Sequence, residues 1–413
     1  MSSADPATPG LLPGLLMLCL LDIGIGSAAV AVDMPTVRLG VDVLFDEGLQ
    51  ALPGPRIGLV TNHTGFDSRG VSTIERLSGD PRVQLCALFA PEHGIEGKLD
   101  EKVADAIHGA TGVKVHSLYG DTRKPSAELF RGLDAVLFDI QDVGARFYTY
   151  ISTMSLCMEA AGEAGVPFIV LDRPNPIGGV RVEGPVIESG LLSFVGPHEI
   201  ALRHGMTVSE LARMFVGEFG IRCDLRVVPM RGWERGMYYE DAGLPWQRPS
   251  PAMPTVDTAI VYPGICLLER TNVSVGRGTP TPFELFGAPW LRSEELAAEL
   301  NAAGLPGVRF SAEDFTPTPG ARHYGGMLCH GVRVAVTDRD TFESVRTGLH
   351  AFAGIRRLNG RDLSVPEGTD YLVGLRSIRL ALEAGKPATE IEPLLQTGLA
   401  EFMEKRQRYL LYE

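Results

Sequence analysis

Four apolar runs in this chain break off into residues that can do chemistry. VQLCALFAP, Val83 to Pro91, gives way to Glu92, His93 and Gly94. RIGLVTN delivers Asn62, then His63 and Thr64. AVLFDIQD delivers Asp139, Gln141 and Asp142, with Arg146, Tyr148 and Tyr150 behind them. PFIVLDRP delivers Asp172 and Arg173, then Asn175. Carboxylates, guanidinium groups, amides and aromatic rings on one rim are the makings of a sugar or polar small-molecule pocket. Glycoside hydrolysis asks for one protonated carboxyl group and one charged partner, or a substitute for the partner. Glu92 is the best acid, because a carboxyl group half sheltered by Phe89 and Pro91 suits a proton donor. Asp139, Asp142 and Asp172 are the candidates for the charged partner. The plainer readings stand beside these: Glu92 capping a turn, Asp142 paired with Arg146 four residues on, Asp172 with Arg173, and both tyrosines packed in a core.

A second cluster, Leu267 to Glu284, reads LLERTNVSVGRGTPTPFE. Arg277 lies between Gly276 and Gly278, with Thr271 and Asn272 nearby. Glycine lets backbone approach a ligand closely, and a guanidinium held between two of them suits a carboxylate. The alternative is a turn with a solvated arginine. His63, His93 and an aspartate could hold a metal, but no compact ligand spacing supports it, so neither metal nor cofactor is expected. The dinucleotide fingerprint GxGxxG, the Walker A loop, HExxH and GxSxG are all missing.

The elements that must position these residues alternate. Strands are expected at Arg56 to Asn62, Val83 to Pro91, Val113 to Gly120, Ala135 to Asp142, Pro167 to Pro174 and Cys223 to Met230. Helical patterns at Val71 to Leu77, Pro125 to Arg131, Tyr148 to Ala164 and Met206 to Phe219 fall between them, the last opening on a Thr207/Glu210 capping box. Strand–helix alternation means a mostly parallel sheet wrapped by helices, with polar strand ends at its carboxyl edge, where such sheets bind ligands. Arg231 to Pro263 lacks periodicity and reads as a long ordered connection. A smaller α/β unit follows: helix Ser293 to Ala303, strands from Val308 and His330, helix Thr341 to Leu358, and two closing helices around Tyr371 to Ala384 and Glu390 to Tyr409. The divisions are residues 1–35, 36–262 and 263–413.

At 413 residues, with 45% hydrophobic and 22% charged residues, the composition is that of a folded globular protein of more than one core. A net charge of −13 argues against a nucleic-acid partner, since phosphate neutralisation needs a basic surplus. The six cysteines are scattered singly and suggest neither disulfides nor zinc. Leu11 to Leu21 is apolar and Ala29-Val30-Ala31 follows, so residues 1–35 read as a poor signal peptide or a disordered N-terminus. With no other apolar span, the mature protein is expected to lack a membrane helix and to work outside the cytoplasm, in the periplasm or secreted.

GLVTNHTG, LFAPEHGI, HSLYGDTRKP, FDIQDVGARFYTYISTM, LDRPNPIGG, RHGMTVSELA, PSPAMPTVDTAIVYPG, TNVSVGRGT, PFELFGAPW and KRQRYLLYE run in order from about residue 38 to the end. In these motifs the chain resembles the exo-β-N-acetylmuramidase NamZ family of bacterial proteins. The resemblance implies a Rossmann-like domain, a smaller α/β domain and an active-site cleft between them. It implies release of N-acetylmuramic acid from the non-reducing ends of peptidoglycan fragments, with muropeptides or disaccharides as partners. It places the family's PEHG glutamate on Glu92. The lactyl carboxylate of muramic acid would give Arg277, Arg146 or Arg173 a purpose. Two positions depart from the family pattern: Arg270 stands for a glycine and Val275 for a glutamate. Rival readings are a non-catalytic muropeptide-binding protein and a metal-dependent hydrolase.

Overall fold

The computed structural model describes residues 37–97, 105–120 and 123–413. The apolar N-terminal segment and its Ala29-Val30-Ala31 site lie outside the described residues.

Six strands of the large sheet are the six apolar runs. They are β1 (Arg56–Thr61), β2 (Gln84–Ala90), β4 (Lys114–Ser117), β5 (Ala135–Asp139), β6 (Phe168–Leu171) and β9 (Leu225–Val228), with a two-residue edge strand β3 (Ala106–Ile107). The order is β3-β4-β2-β1-β5-β6-β9, and every pairing is parallel except β3 with β4. Numbered among themselves, the six parallel strands run 3-2-1-4-5-6, the Rossmann order, which reverses between β1 and β5. β5 and β6 are buried at every position, as strands covered on both faces must be. A separate antiparallel ribbon pairs β7 (Glu183–Val186) with β8 (Ala201–Arg203).

Helices α1 (Gly40–Asp46), α2 (Thr73–Gly79), α3 (Tyr150–Ala164) and α4 (Val208–Glu218) belong with this sheet. Thr207 and Glu210 form the expected capping box on α4, each side chain meeting the other's backbone N–H. Pro125 to Arg131 contains only one 3₁₀ turn, Ala127–Leu129. The segment read as an aperiodic connection contains helix α5 (Val256–Ile265), which is buried at every position but Asp257. A helix apolar on all sides has no amphipathic period to reveal it.

The second sheet is antiparallel, in the order β10-β12-β11 from β10 (Leu285–Ala288), β11 (Val308–Phe315) and β12 (Cys329–Val336). With it go α6 (Ser293–Ala302) and α7 (Ser344–Asn359). The closing segments are more broken than their patterns imply: α8 (Asp370–Val373), α9 (Arg376–Glu383), α10 (Ala388–Ile391) and α11 (Leu399–Gln407). Gly374, at φ 85°, separates α8 from α9. The position 262/263 falls inside α5 rather than in a linker. α5 meets α7 backbone to backbone: a Cβ on Gly348 would stand 2.1 Å from the Gly264 carbonyl oxygen. One large hydrophobic cluster runs from Val37 through both sheets to Phe402, and a small second one joins Leu285, Phe315 and Cys329.

Candidate active site

The strand ends carry polar residues to two different places. Next to the reversal point between β1 and β5, the side chains turn to one another. Asn62 Oδ1 accepts from both the amide and the hydroxyl of Thr64, and Thr64 Oγ1 accepts from the Gln141 amide at 2.9 Å. Asp139 is fully buried and held by Arg173, through Nε at 2.6 Å and Nη2 at 3.0 Å, with Thr73 donating to it as well. Asp172 takes donors from Thr207 at 2.8 Å, the Ser209 amide at 3.0 Å and the Tyr412 phenol, which ties α4 and the C-terminus to β6. Asn175 closes a turn, accepting from the Ile177 amide and donating to the Met206 carbonyl. None of these side chains reaches a large cavity.

Asp142 and Arg146 do not pair. The stretch between them is not helical, so the four-residue spacing does not bring them together. Asp142 accepts from the Gly144 amide through one oxygen, and the other is buried without a partner. Burial pushes its carboxyl up to about 7. Arg146, fully buried, donates to the carbonyls of Pro185, Ile200 and Leu372 and so rivets the β7–β8 ribbon to α8. His63 donates Nε2–H to the Arg248 carbonyl at 2.6 Å. Thr271 closes a local turn, and Asn272 bonds the backbone of Asp362 and Ser364. Among the described residues, no three His, Cys, Asp or Glu side chains cluster closely enough to hold a metal ion.

The other place is a cavity of about 1310 Å³. The exits of β2 (Glu92, His93), β4 (Tyr119, Arg123) and β5 (Phe147 to Tyr150) line it, together with Cys266, Glu269, Arg270 and Arg277, Thr318 to Arg322, and Gly368, Tyr371 and Leu372. Glu92 is half-buried, and its Oε2 accepts from the Thr149 hydroxyl at 2.6 Å. Thr149 is the N-cap residue of α3, yet its hydroxyl makes no cap bond. The side chain that would ordinarily serve the helix serves Glu92 instead. His93, beside it, has φ 71°, a left-handed backbone that few non-glycine residues adopt and that clusters at functional sites.

Aromatic rings build one wall. Tyr148 meets Tyr150 edge-on at 5.0 Å and Tyr262 at 5.9 Å, and Tyr262 meets Phe283 at 4.7 Å. Tyr150 donates to the Pro249 carbonyl at 2.5 Å. Burial pushes the Tyr148 and Tyr150 phenols up, with Glu92 adding to the effect, so both stay protonated. Four arginines line the cavity: Arg123, stacked 4.2 Å over Phe194, and Arg270, Arg277 and Arg322. Arg277 binds Glu269, Nε to Oε1 at 2.5 Å, and the Cys266 thiol donates to the other carboxylate oxygen at 3.2 Å. Burial would raise the Glu269 carboxyl, but Arg277 outweighs it and holds the group below the usual range. Burial would likewise lower the Arg277 guanidinium, and Glu269 holds it well above its usual value.

Of the sequence candidates, the cavity thus gathers Glu92, His93, Tyr148, Tyr150 and Arg277, and leaves the others in the surrounding framework. Of the two departures from the family pattern, Arg270 lines the cavity and Val275 is buried outside its lining. Sequence reasoning missed Thr149 and Glu269. Thr149 carried a signal as a hydroxyl residue at a helix start. Glu269 stands eight residues from Arg277 in irregular backbone, a spacing with no regular meaning.

Residues 57–257 match the N-terminal region of the exo-β-N-acetylmuramidase NamZ family, and residues 260–412 match its C-terminal region. A peptidoglycan β-N-acetylmuramidase NamZ of Bacillus subtilis is 48% identical over 382 residues, 92% of each chain. Two crystal structures of DUF1343 family proteins from Bacteroides fragilis share the architecture. One has 36% identity and a TM-score of 0.85, covering 92% of this chain and 100% of the other. The second has 31% identity and a TM-score of 0.75, covering 91% and 99%.

Proposed function

The chain belongs to the exo-β-N-acetylmuramidase NamZ family, and from that membership we propose that it releases N-acetylmuramic acid from the non-reducing ends of peptidoglycan fragments. It is an exo-acting glycoside hydrolase of cell-wall turnover. The observation that carries the assignment to this site is Glu92, held by Thr149 on the wall of an aromatic- and arginine-lined cavity. Glu92 acts as the general acid, giving its proton to the oxygen of the leaving sugar. The apolar Leu11–Leu21 segment with Ala29-Val30-Ala31 behind it supports work outside the cytoplasm, on muropeptides or disaccharides.

The second catalytic group comes from the substrate. Among the described residues, Glu92 and Glu269 are the carboxylates that line the cavity, and Glu269 is committed to Arg277. Asp139 and Asp142 are not in the lining. In this reading the acetamido oxygen attacks C1 as the C1–O bond to the leaving group breaks and Glu92 protonates the departing oxygen. Water then adds to C1 of the oxazolinium ion, which reopens to the acetamide, while Glu92 takes a proton back from the water. Some glycosidases dispense with a protein nucleophile in this way.

A chromogenic N-acetylmuramide tests both statements. The protein should release the chromophore with chelator present. Replacing the N-acetyl group by mono-, di- and trifluoroacetyl should slow release progressively, because each fluorine weakens the attacking oxygen. Binding without release would show a sugar-binding protein, and chelator-sensitive release a metal-dependent hydrolase. Rates indifferent to fluorination would remove the acetamido group from the mechanism.

A further inference from the structure

Arg277 is presented to the cavity in an orientation that the surrounding chain fixes from several sides. The loop that carries it is pinned to β10 by reciprocal backbone bonds between Ser274 and Gly287, both 2.8 Å. The Phe283 amide donates to the Val275 carbonyl at 2.7 Å, and the Thr318 amide to the Gly278 carbonyl at 2.9 Å. Gly276 and Gly278 have φ 74° and 84°, and a Cβ on Gly276 would stand 2.6 Å from the Leu285 carbonyl oxygen. The guanidinium carbon lies 5.1 Å from the Phe283 ring centre.

Within that frame only one nitrogen of the guanidinium is used. Nε is bound by Glu269, whose second oxygen is taken by the Cys266 thiol. Nη1 and Nη2 have no protein partner among the described residues, and the side chain keeps 38% of its surface exposed. Those two nitrogens form the edge that matches a carboxylate with two parallel hydrogen bonds. A carboxylate placed to neutralise Arg277 would compete for that edge. Glu269 instead grips the inner nitrogen, lowers the cost of burying the charge and leaves the outer donors aimed. In a sugar unit of muramic acid the one carboxylate is on the lactyl ether, so this step rests on the muramidase reading above.

We propose that the outer edge of Arg277 receives the lactyl carboxylate and that Glu269 is the positioning residue that aims it, so that this pair distinguishes muramic acid from glucosamine sugars. The plain alternative is an ion pair that only stabilises the loop.

The test combines turnover with direct binding. On the chromogenic N-acetylmuramide, Arg277→Met should raise KM about 10²-fold, the worth of charge-assisted hydrogen bonds, with kcat changed far less. Arg277→Lys should recover part of that loss. Glu269→Ala should raise KM about tenfold although Arg277 is intact, and Glu269→Gln, which can still accept from Nε, should raise it less. Titration calorimetry with free N-acetylmuramic acid and N-acetylglucosamine should show the wild type preferring the first and Arg277→Met losing the preference. A preference that survives in both Arg277→Met and Glu269→Ala would overturn the proposal, leaving a structural pair. Failure of the wild type to turn over the muramide would sink the enzymatic reading alone, because the binding preference would still be measured.

Discussion

Two sets of polar residues leave the same sheet edge and meet opposite fates. Around the ends of β1, β5 and β6, Asp139 is answered by Arg173 and Thr73, Asp172 by Thr207, Ser209 and Tyr412, and Asn62 by Thr64. Beyond β2 and in the loop before α3, Glu92 and Tyr148 line an open cavity, which Arg277 enters from the loop before β10. The residue types are nearly the same, so type does not separate framework from chemistry. What separates them is where the side chain ends: among buried neighbours that bond it, or on the wall of the cavity. The reversal point between β1 and β5, where a sheet of this order usually takes its ligand, is closed by its own hydrogen bonds. The cavity lies to one side, over β2, β4 and the loops of the second half.

The largest effect is expected at the buried pair of Asp139 and Arg173. Asp139→Asn leaves the Arg173 guanidinium buried without its counter-charge and should cost about 3–5 kcal/mol of stability, read as a lower urea midpoint. If the midpoint stays and turnover is lost, Asp139 belongs to the chemistry and the division fails.

A smaller effect should come from Asp142. Its carboxyl is raised in the folded protein to about 7, while in the unfolded chain it has its ordinary value near 3.8. Between those values the folded state holds a proton that the unfolded state releases, so stability falls as pH rises from about 4 to about 7 and is level above. At about 1.4 kcal/mol per pKa unit the loss is at most about 4 kcal/mol. Asp142→Asn should flatten that slope in urea titrations at several pH values and leave turnover within a few-fold. An unchanged slope would remove Asp142 as its source.

Much of the frame was legible because of how it is buried. Parallel strands covered on both faces read as unbroken apolar runs, and all six appeared as expected. α5 did not, because a helix buried on all sides shows no stripe, and the C-terminal helices were run together because Gly374 interrupts them within an apolar pattern. In the site, Glu92 was legible because it stands where a strand has to stop. The plainer reading of Asp142, a pair with Arg146, fails because a four-residue spacing has meaning only on a helix, and the chain there is not helical. Glu269 left no trace, since its link to Arg277 depends on loop geometry that spacing does not encode.

The most direct test of the division is the kcat of Glu92→Gln on the chromogenic N-acetylmuramide, measured where its unfolding midpoint can be compared with the wild type. The Thr149 hydroxyl that bonds Glu92 can donate to a glutamine carbonyl as well, so the midpoint should hold while kcat falls by about 10²–10⁴-fold, the usual worth of a general acid. A kcat close to that of the wild type would contradict the account and put the proton donor elsewhere.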